Sequence, residues 1–585
     1  MKRIFTLAVF YFLICNSAFG IVDNALPGAA PGAINRQYVD NLKEMEQIQK
    51  VINEAEKSPE EEQTDVTNAE EQNKDIVMED GSVYNPKFYL SSVKIEGNNI
   101  FPPMVLEEMA NKITGQEVYL EDVLDLVIDI SRYFQNQGYL TCYAYLPPQE
   151  IENGNVTIQI QESPIDKVTI SGNKWAKKSY LRNLMGAQLK EGEVFNAKYI
   201  QSTLRELNRE DYIQGTIAIS KNAETDATEL ELKVKDRFPL SFDIGWDNFG
   251  RDYAGRHRTS FIMGMDNLTG YGDKLYGGTI LSSRSTGALA GYSIPIGKYG
   301  TRLSYDFNYS KVNLGGQYRP LGIKGDATSH LFRVTHPLYR SATAEVIGHV
   351  GFDLPSSETN IEAFDETLSK YRLRVIRMGV NSLRDDKYGR WLAGVGADIG
   401  LGGLGATKGL SHDSDKEFYK FTASVTRVHR LPLRSLGILR VAGQYTPNAL
   451  FPYEQMQVGG PYSIRGYQPG QLLGDYGVAG TAEIRTPIPG LSLLPDKLKV
   501  LDERLKLAFF YDFGYVKEHK NLYDFPTNFL NSVGFGLHAN VTQFLSAQIG
   551  VGFPLQRKFD ENASRLYFSI NSEIDKIFCR NVEKL

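Results

Sequence analysis

Through most of the second half of the chain, apolar and polar residues alternate with period two. Leu240, Phe242, Ile244 and Trp246 interleave with Ser241, Asp243, Gly245 and Asp247. Near the other end, Leu545, Ala547, Ile549, Val551 and Phe553 interleave with Ser546, Gln548, Gly550 and Gly552. Successive side chains of a strand point to opposite faces, so each such segment carries one apolar and one polar face. Roughly sixteen segments of this kind fill the 349 residues from 237 to 585, about 22 residues for each strand with its connection. A tilted strand crosses a bilayer in about 9–11 residues, which leaves the surplus for turns and loops. Strands of a soluble sandwich are usually about 5–6 residues long, whereas Thr301 to Leu314 and Tyr371 to Arg384 run past ten with no boundary between two sandwiches. Asp243, Lys506, Asp512 and Asn571 fall at the inward phase. The pattern therefore predicts a transmembrane β-barrel of 16 antiparallel strands over 237–585, closed around a wet interior.

The first half reads differently. Residues 1–20 have a basic start (Lys2, Arg3), an apolar stretch from Ile4 to Ile14, and small residues Ala18 and Gly20, the pattern of a cleaved signal peptide. Over 21–57, Tyr38, Leu42, Met45, Ile48 and Ile52 recur at spacings of three and four, which puts them on one helical stripe. Residues 58–86 follow as an acidic, flexible linker. From Pro59 to Asp80 there are nine acidic residues against one Lys and almost no large apolar side chains to bury. An internal repeat comes next. Val93-Lys94-Ile95-Glu96-Gly97-Asn98 matches Val168-Thr169-Ile170-Ser171-Gly172-Asn173, 75 residues further on. Each copy opens and closes with an alternating strand and carries helical pattern between, Leu120 to Gln137 in one and Tyr199 to Asn208 in the other. Two tandem β-α-α-β modules, 87–163 and 164–236, are the simplest account, each with an edge strand open.

Composition narrows the chemistry. The chain of 585 residues has a net charge of -6 and a pI near 5.9, so nucleic acid is not an expected partner. Its 54 glycines and 11% aromatics favour β-structure. Three cysteines, Cys15, Cys142 and Cys579, build neither a disulfide framework nor a cysteine-rich zinc site. No two of the eight histidines stand three or four residues apart, as helix-borne metal ligands would. Gly400-Leu401-Gly402-Gly403-Leu404-Gly405 has dinucleotide-binding spacing but ends a strand with no helix after it, and reads as a turn. No Walker loop or Gly-x-Ser-x-Gly elbow occurs, and neither catalysis, metal nor cofactor is expected.

Between the eleventh and twelfth segments lies Gly459-Gly460-Pro461-Tyr462-Ser463-Ile464-Arg465-Gly466-Tyr467, continuing to Gly474-Asp475. Along Leu505 to Tyr515 the apolar face is formed by odd-numbered residues, which leaves Phe510, Asp512 and Gly514 facing the lumen. With the N-terminus in the periplasm, every odd-to-even connection lies on the outer side, so the Arg465 loop is extracellular and can fold back to meet Asp512. The Arg-Gly-Tyr loop and the Phe510-Tyr511-Asp512-Phe513-Gly514 strand resemble the two-partner secretion transporters of the outer membrane (the TpsB family), whose superfamily joins periplasmic POTRA modules to a sixteen-stranded barrel. The order of segments is similar over essentially the whole chain. Gln137-Gly138-Tyr139 with Pro147-Pro148-Gln149 resembles that family's first POTRA module, and Leu204 to Asn208 its second.

The resemblance implies a gating loop of Arg465, Gly466 and Tyr467 held by Phe510, Asp512 and Gly514, and a plug helix carrying the Tyr38 to Ile52 stripe. A loop-to-wall ion pair in a partly wet lumen supplies about 1–4 kcal/mol of attraction before desolvation, enough to favour one loop position without fixing it permanently. The implied function is recognition of a partner exoprotein by the POTRA modules and its passage, unfolded, through the barrel to the cell surface. The implied partners are a large secreted β-helical exoprotein, outer-membrane lipid, and the barrel-assembly machinery and periplasmic chaperones during biogenesis. A competing expectation is a barrel-assembly factor, although such proteins typically carry more than two POTRA modules. One departure stands out: these barrels commonly end on an aromatic residue, whereas here Asp575 to Leu585, with Cys579, follows the last segment.

Overall fold

The computed structural model describes Ile52 and residues 85–573, apart from 187–188, 209–211, 222–227, 239, 298–299, 342, 409–413, 492–494, 496–500, 503, 521–525, 543, 557 and 560–563. It divides into two compact units, Pro59–Phe238 and a second made of Met1–Ser58 with Pro239–Leu585.

The first unit holds two modules. In one, β1 (Lys87–Leu90) pairs with β3 (Gln116–Tyr119), while β2 (Ser92–Glu96) runs parallel to β5 (Asn155–Gln161), and the short β4 (Tyr143–Tyr145) lies antiparallel on β5's other side. Helices α1 (Pro103–Ala110) and α2 (Leu120–Asn136) complete it. Glu121 and Asp122 occupy the first turn of α2, where the helix dipole favours negative charge, and Asp122 accepts a hydrogen bond from the Tyr119 backbone N–H at 2.7 Å. Val123, Leu126, Val127, Ile130 and Phe134 fall on one face of α2 and bury against Val156, Ile158 and Ile160 of β5. The other module repeats this plan. Strand β6 (Ile165–Ser171) is parallel to β8 (Thr228–Asp236), β7 (Ile213–Lys221) is antiparallel to it, and α3 (Lys178–Met185) and α4 (Ala197–Asn208) pack Leu181, Ile200 and Leu207 against Leu230 and Leu232.

The second module thus has one strand, β7, more than the β-α-α-β order read from the sequence, and the first has three more, β4 and the separate pair β1 and β3. Three residues are too few for β4 to show a period, and in β7 the apolar series Ile213, Ile217, Ile219 is broken by Gly215. The edges are also less open than expected. At Ala144 of β4, Ser131 of α2 accepts from the backbone N–H at 2.9 Å while its own hydroxyl donates to the Val127 carbonyl at 2.9 Å. Asn208 of α4 closes both backbone groups of Gly215 of β7, its Oδ1 accepting from the N–H at 2.7 Å and its Nδ2 donating to the carbonyl at 3.2 Å. Gln149 extends the ladder past β4, its amide pairing with the Thr157 N–H (2.8 Å) and C=O (2.7 Å). The Gln137-Gly138 pair joins the modules: the Ala197 N–H donates to the Gly138 carbonyl at 2.8 Å and Asn196 Nδ2 to that of Gln137 at 3.0 Å.

In the second unit sixteen strands close on themselves, each antiparallel to its neighbours. They begin with β9 (Leu240–Asp247), β10 (Arg258–Asp266), β11 (Lys274–Ser282), β12 (Ser285–Ile296), β13 (Thr301–Asn313), β14 (Ile323–Arg340) and β15 (Ala344–Asp353). A hairpin of β16 (Ser356–Ile361) and β17 (Glu366–Arg372) then extends the sheet from the first residues of β14. The wall resumes with β18 (Val375–Asp386), β19 (Gly389–Gly400), β20 (Phe418–Leu431) and β21 (Ser435–Tyr445). A long loop follows, carrying the small pair β22 (Met456–Val458) and β23 (Leu472–Gly474). The remaining strands are β24 (Tyr476–Pro487), β25 (Leu505–Lys517), β26 (Phe529–Thr542), β27 (Leu545–Pro554) and β28 (Arg565–Glu573), and β28 pairs with β9 to close the barrel. The Tyr371 to Arg384 stretch runs in one direction and register against β15 and β16, interrupted only at Leu373–Arg374 where the hairpin meets the wall.

The two faces of this wall invert the arrangement of a water-soluble protein. Trp246, Phe261, Phe332, Val395, Phe421, Phe509 and Phe535 are exposed on its outside, whereas Asp306, Asp353, Lys420, Glu483 and Asp512 are buried within. Closure satisfies every strand edge, which an open sheet in hydrocarbon could not do, so the outer face is a lipid face.

Candidate functional site

The 446–475 loop folds back into the barrel, and its position is set by strand phase. On β25, Phe509, Tyr511 and Tyr515 are exposed while Phe510, Asp512, Gly514 and Val516 are buried inward. On β24 the same alternation turns Glu483 and Arg485 inward and Ile484 outward. The loop supplies Arg465 to this corner of the lumen. Its Nε and Nη2 donate to the two Asp512 oxygens at 2.8 and 2.9 Å, its backbone N–H donates to Oδ2 at 3.0 Å, and Nη1 reaches Glu483 at 2.5 Å. The guanidinium also stacks on Phe510, with Cζ 3.4 Å from the ring centroid. A fork matched to a carboxylate gives geometric specificity as well as energy. Asp512 is fully buried, and its three hydrogen bonds offset part of the cost of removing the charge from water. Glu483 is also held by Arg485 at 2.7 Å.

The residues beside Arg465 are equally engaged. The Gly466 N–H donates to the Tyr567 hydroxyl at 2.6 Å, and that hydroxyl donates to the Tyr467 carbonyl at 2.9 Å. Tyr467 is fully buried, and its own hydroxyl lies 3.0 and 2.9 Å from the carbonyls of Asn531 and Gln556. Gly514 faces Ile464, and a Cβ there would come within 2.3 Å of Ile464 Cδ1, so the bare backbone makes room for the loop. Asp475 ties the loop's two ends by accepting from the Leu450 N–H at 2.8 Å, and ties the loop to the connection after β25 by accepting from the His519 N–H at 2.8 Å.

Arg465, Gly466, Tyr467, Phe510, Asp512 and Gly514 therefore come together in one place. Of the helical stripe, Tyr38, Leu42, Met45 and Ile48 lie outside the described residues. Ile52 is helical and 1% exposed, packed on Val428, Leu436 and Ile438 of the inner wall, and it borders the same cavity, about 120 Å³, as Arg465 and Glu483. Two members of the site went unread in the sequence. Glu483 was open to the same phase argument that located Asp512, while Tyr567 meets a loop a hundred residues away with no sequence signal. Among the described residues no His, Cys, Asp and Glu group has the arrangement of a metal centre.

A family model described as haemolysin secretion/activation protein ShlB/FhaC/HecB matches residues 226–539. A model of the ShlB-type POTRA domain matches 88–163, and a POTRA model described as a surface antigen variable number repeat matches 164–237. The heme/hemopexin transporter protein HuxB of Haemophilus influenzae is 24% identical over 504 residues, 82% of this chain and 86% of that protein. The outer membrane transporter CdiB of Dickeya dadantii is 24% identical over 490 residues, 81% and 84% of the two chains. Among solved structures, CdiB from Escherichia coli superposes with a TM-score of 0.70 at 18% identity, covering 93% of this chain and 99% of its own. BamA from Haemophilus ducreyi, lacking its first three POTRA domains, gives 0.54 at 15% identity, covering 83% and 100%.

Proposed function

The chain belongs to the ShlB/FhaC/HecB family of haemolysin secretion/activation proteins, and from that membership we propose how its lumen governs export. Proteins of this family are two-partner secretion transporters of the outer membrane; their POTRA domains stand in the periplasm and their partner is a secreted exoprotein. In our reading, residues 1–20 are an export signal, 21–57 a plug segment, 58–86 a linker, 87–163 and 164–236 the capture modules, and 237–585 the conduit. The work done is transport, without a catalytic step. The modules take up an extended segment of the exoprotein by strand addition, in which backbone hydrogen bonds give affinity with little regard to sequence, and this suits an unfolded, β-rich cargo. Arg465, Gly466 and Tyr467 are the gate, and Phe510, Asp512 and Gly514 are its seat on the wall. The plug segment, represented by Ile52, fills the lumen beside them at rest.

The observation that carries this reading is the three-fold contact of Arg465 with Asp512 inside the barrel. A side chain so engaged holds the loop across the path that the cargo takes, and the loop must leave and return for each chain exported. Arg465→Ala tests it. The variant barrel is expected to assemble in the outer membrane at the wild-type level while release of the exoprotein into the medium falls. Normal release by an assembled Arg465→Ala barrel overturns the assignment.

A further inference from the structure

The same loop is held at a second place, by charges of the opposite sign. Glu454, fully buried, meets Arg377 of β18 at 2.7 Å and is also paired with Lys420 of β20. Arg377 in turn binds Asp353 of β15 and Asp398 of β19, each at 2.7 Å, and Lys420 binds Asp398 at 2.9 Å. The backbone just before Glu454 is seated too. Leu450, Phe451 and Tyr453 pack with Tyr371, Val375 and Phe418 in one apolar cluster. This cluster is separate from the Arg465 site and faces a lumenal cavity of about 500 Å³ that the loop borders through Glu454, Tyr462 and Ser463.

Resting on the gate reading above, we infer that Glu454 is a second positioning residue for the loop, and that its contact is the one released first. The wall quartet Arg377, Lys420, Asp353 and Asp398 carries two charges of each sign. When Glu454 leaves, every member keeps a partner on the wall, so no buried charge is stranded. The Arg465 contact is asymmetric. All the hydrogen bonds to the Asp512 carboxylate among the described residues come from Arg465, so withdrawal of that residue strands a buried charge. The loop therefore unseats from the Glu454 end, opening the 500 Å³ side of the lumen while Arg465 still holds.

Two measurements on the full chain test this. In planar lipid bilayers, Glu454→Gln is expected to raise the frequency of partial openings at least about tenfold, the loss of one charge-assisted contact, while Glu454→Asp, which keeps the charge, stays near wild type. Full openings become frequent only when Arg465→Ala is added. If Glu454→Gln behaves as wild type while Arg465→Ala opens, the second contact is refuted and the gate stands; if neither opens, the gate itself is wrong. Hydrogen exchange on the unmodified protein in nanodiscs reads the order directly. The Glu454 and Gln455 amides, both bonded to the Phe451 carbonyl, are expected to exchange before those of Arg465 and Gly466. The reverse order overturns the proposal.

Discussion

Replacing Asp512 by Asn preserves the shape of the side chain and removes the charge that gathers the Arg465 backbone N–H at 3.0 Å, Nε at 2.8 Å and Nη2 at 2.9 Å. An amide offers one acceptor oxygen, so at least one of these donors is left facing an NH2 group. A hydrogen bond to a charged group is worth about 1.5–3 kcal/mol net, and breaking a buried pair costs about 3–5 kcal/mol. Two features lower the loss here: Glu483 still receives Nη1, and the Arg465 side chain keeps 17% of its surface in contact with water. The expected loss is about 2–4 kcal/mol of loop seating, which at about 1.4 kcal/mol per factor of ten shifts the ratio of seated to unseated loop by about 30- to 700-fold.

The assay is the fraction of time that single reconstituted barrels conduct in a planar bilayer. Heat-modifiable migration on gels establishes beforehand that the variant barrel is closed and folded. Asp512→Asn should conduct for a far greater share of the time than wild type. Combining it with Arg465→Ala should add little to either change alone, because both remove the same contact. An assembled Asp512→Asn barrel whose conducting fraction stays within about threefold of wild type, about 0.7 kcal/mol on the same scale, refutes the claim that this pair holds the loop.

Other consequences are local. Gly514→Val introduces atoms where Ile464 Cδ1 already lies 2.3 Å from a Cβ position, so loop seating should weaken by about 1–3 kcal/mol, the cost of overpacking. Faster protease cleavage of the loop on intact cells reads this out, and Ile464→Ala should recover part of the loss. Gln149→Ala removes the amide that pairs with both backbone groups of Thr157, and the Thr157 N–H should lose hydrogen-exchange protection by about tenfold or more. Unchanged protection there would show that β5 does not depend on this side chain.

The barrel was legible because its signal is a period. A membrane-spanning wall must be apolar on one face and hydrated on the other along every strand, and no tertiary contact can alter that requirement. Sixteen segments survive as a count, with one refinement: Tyr371 to Arg384 keeps one direction and one register against β15 and β16, but it belongs to two elements, the end of β17 beyond the wall and β18 within it, separated only by Leu373–Arg374. Alternation does not record where the wall ends and the hairpin beyond it begins, because the strand runs on in one direction through both. The modules show the opposite difficulty. Their long parallel strands and α2 have clear periods, but β4 has three residues and no period at all, and its place is known only from pairing with β5.

Within the site, phase alone gave Asp512 its direction and would have given Glu483 and Arg485 theirs, since each charged side chain stands between outward residues of its strand. Which loop residue each would meet depends on how far the loop reaches into the lumen, and one-dimensional pattern is silent on that. The chemistry of the contact nonetheless follows from what the lumen is for. A conduit for polypeptide must admit water, so apolar burial alone is a poor fastening for a loop that has to leave: the greasy surface it exposes on leaving would bind the passing chain. Ionic contacts behave differently. The attraction between unit charges 4 Å apart falls from about 4 kcal/mol at an effective dielectric of 20 to about 1 kcal/mol in water. Asp512 and Glu454 are buried while the loop is seated, so both contacts are strong in the dry, closed arrangement. The first water admitted along a partly withdrawn loop weakens whichever pair it reaches. Fastening by charge at Asp512 and Glu454 thus makes the closed state firm and the opening cooperative, and confines the apolar surface that a departing loop uncovers to the patches under Leu450, Phe451 and Ile464.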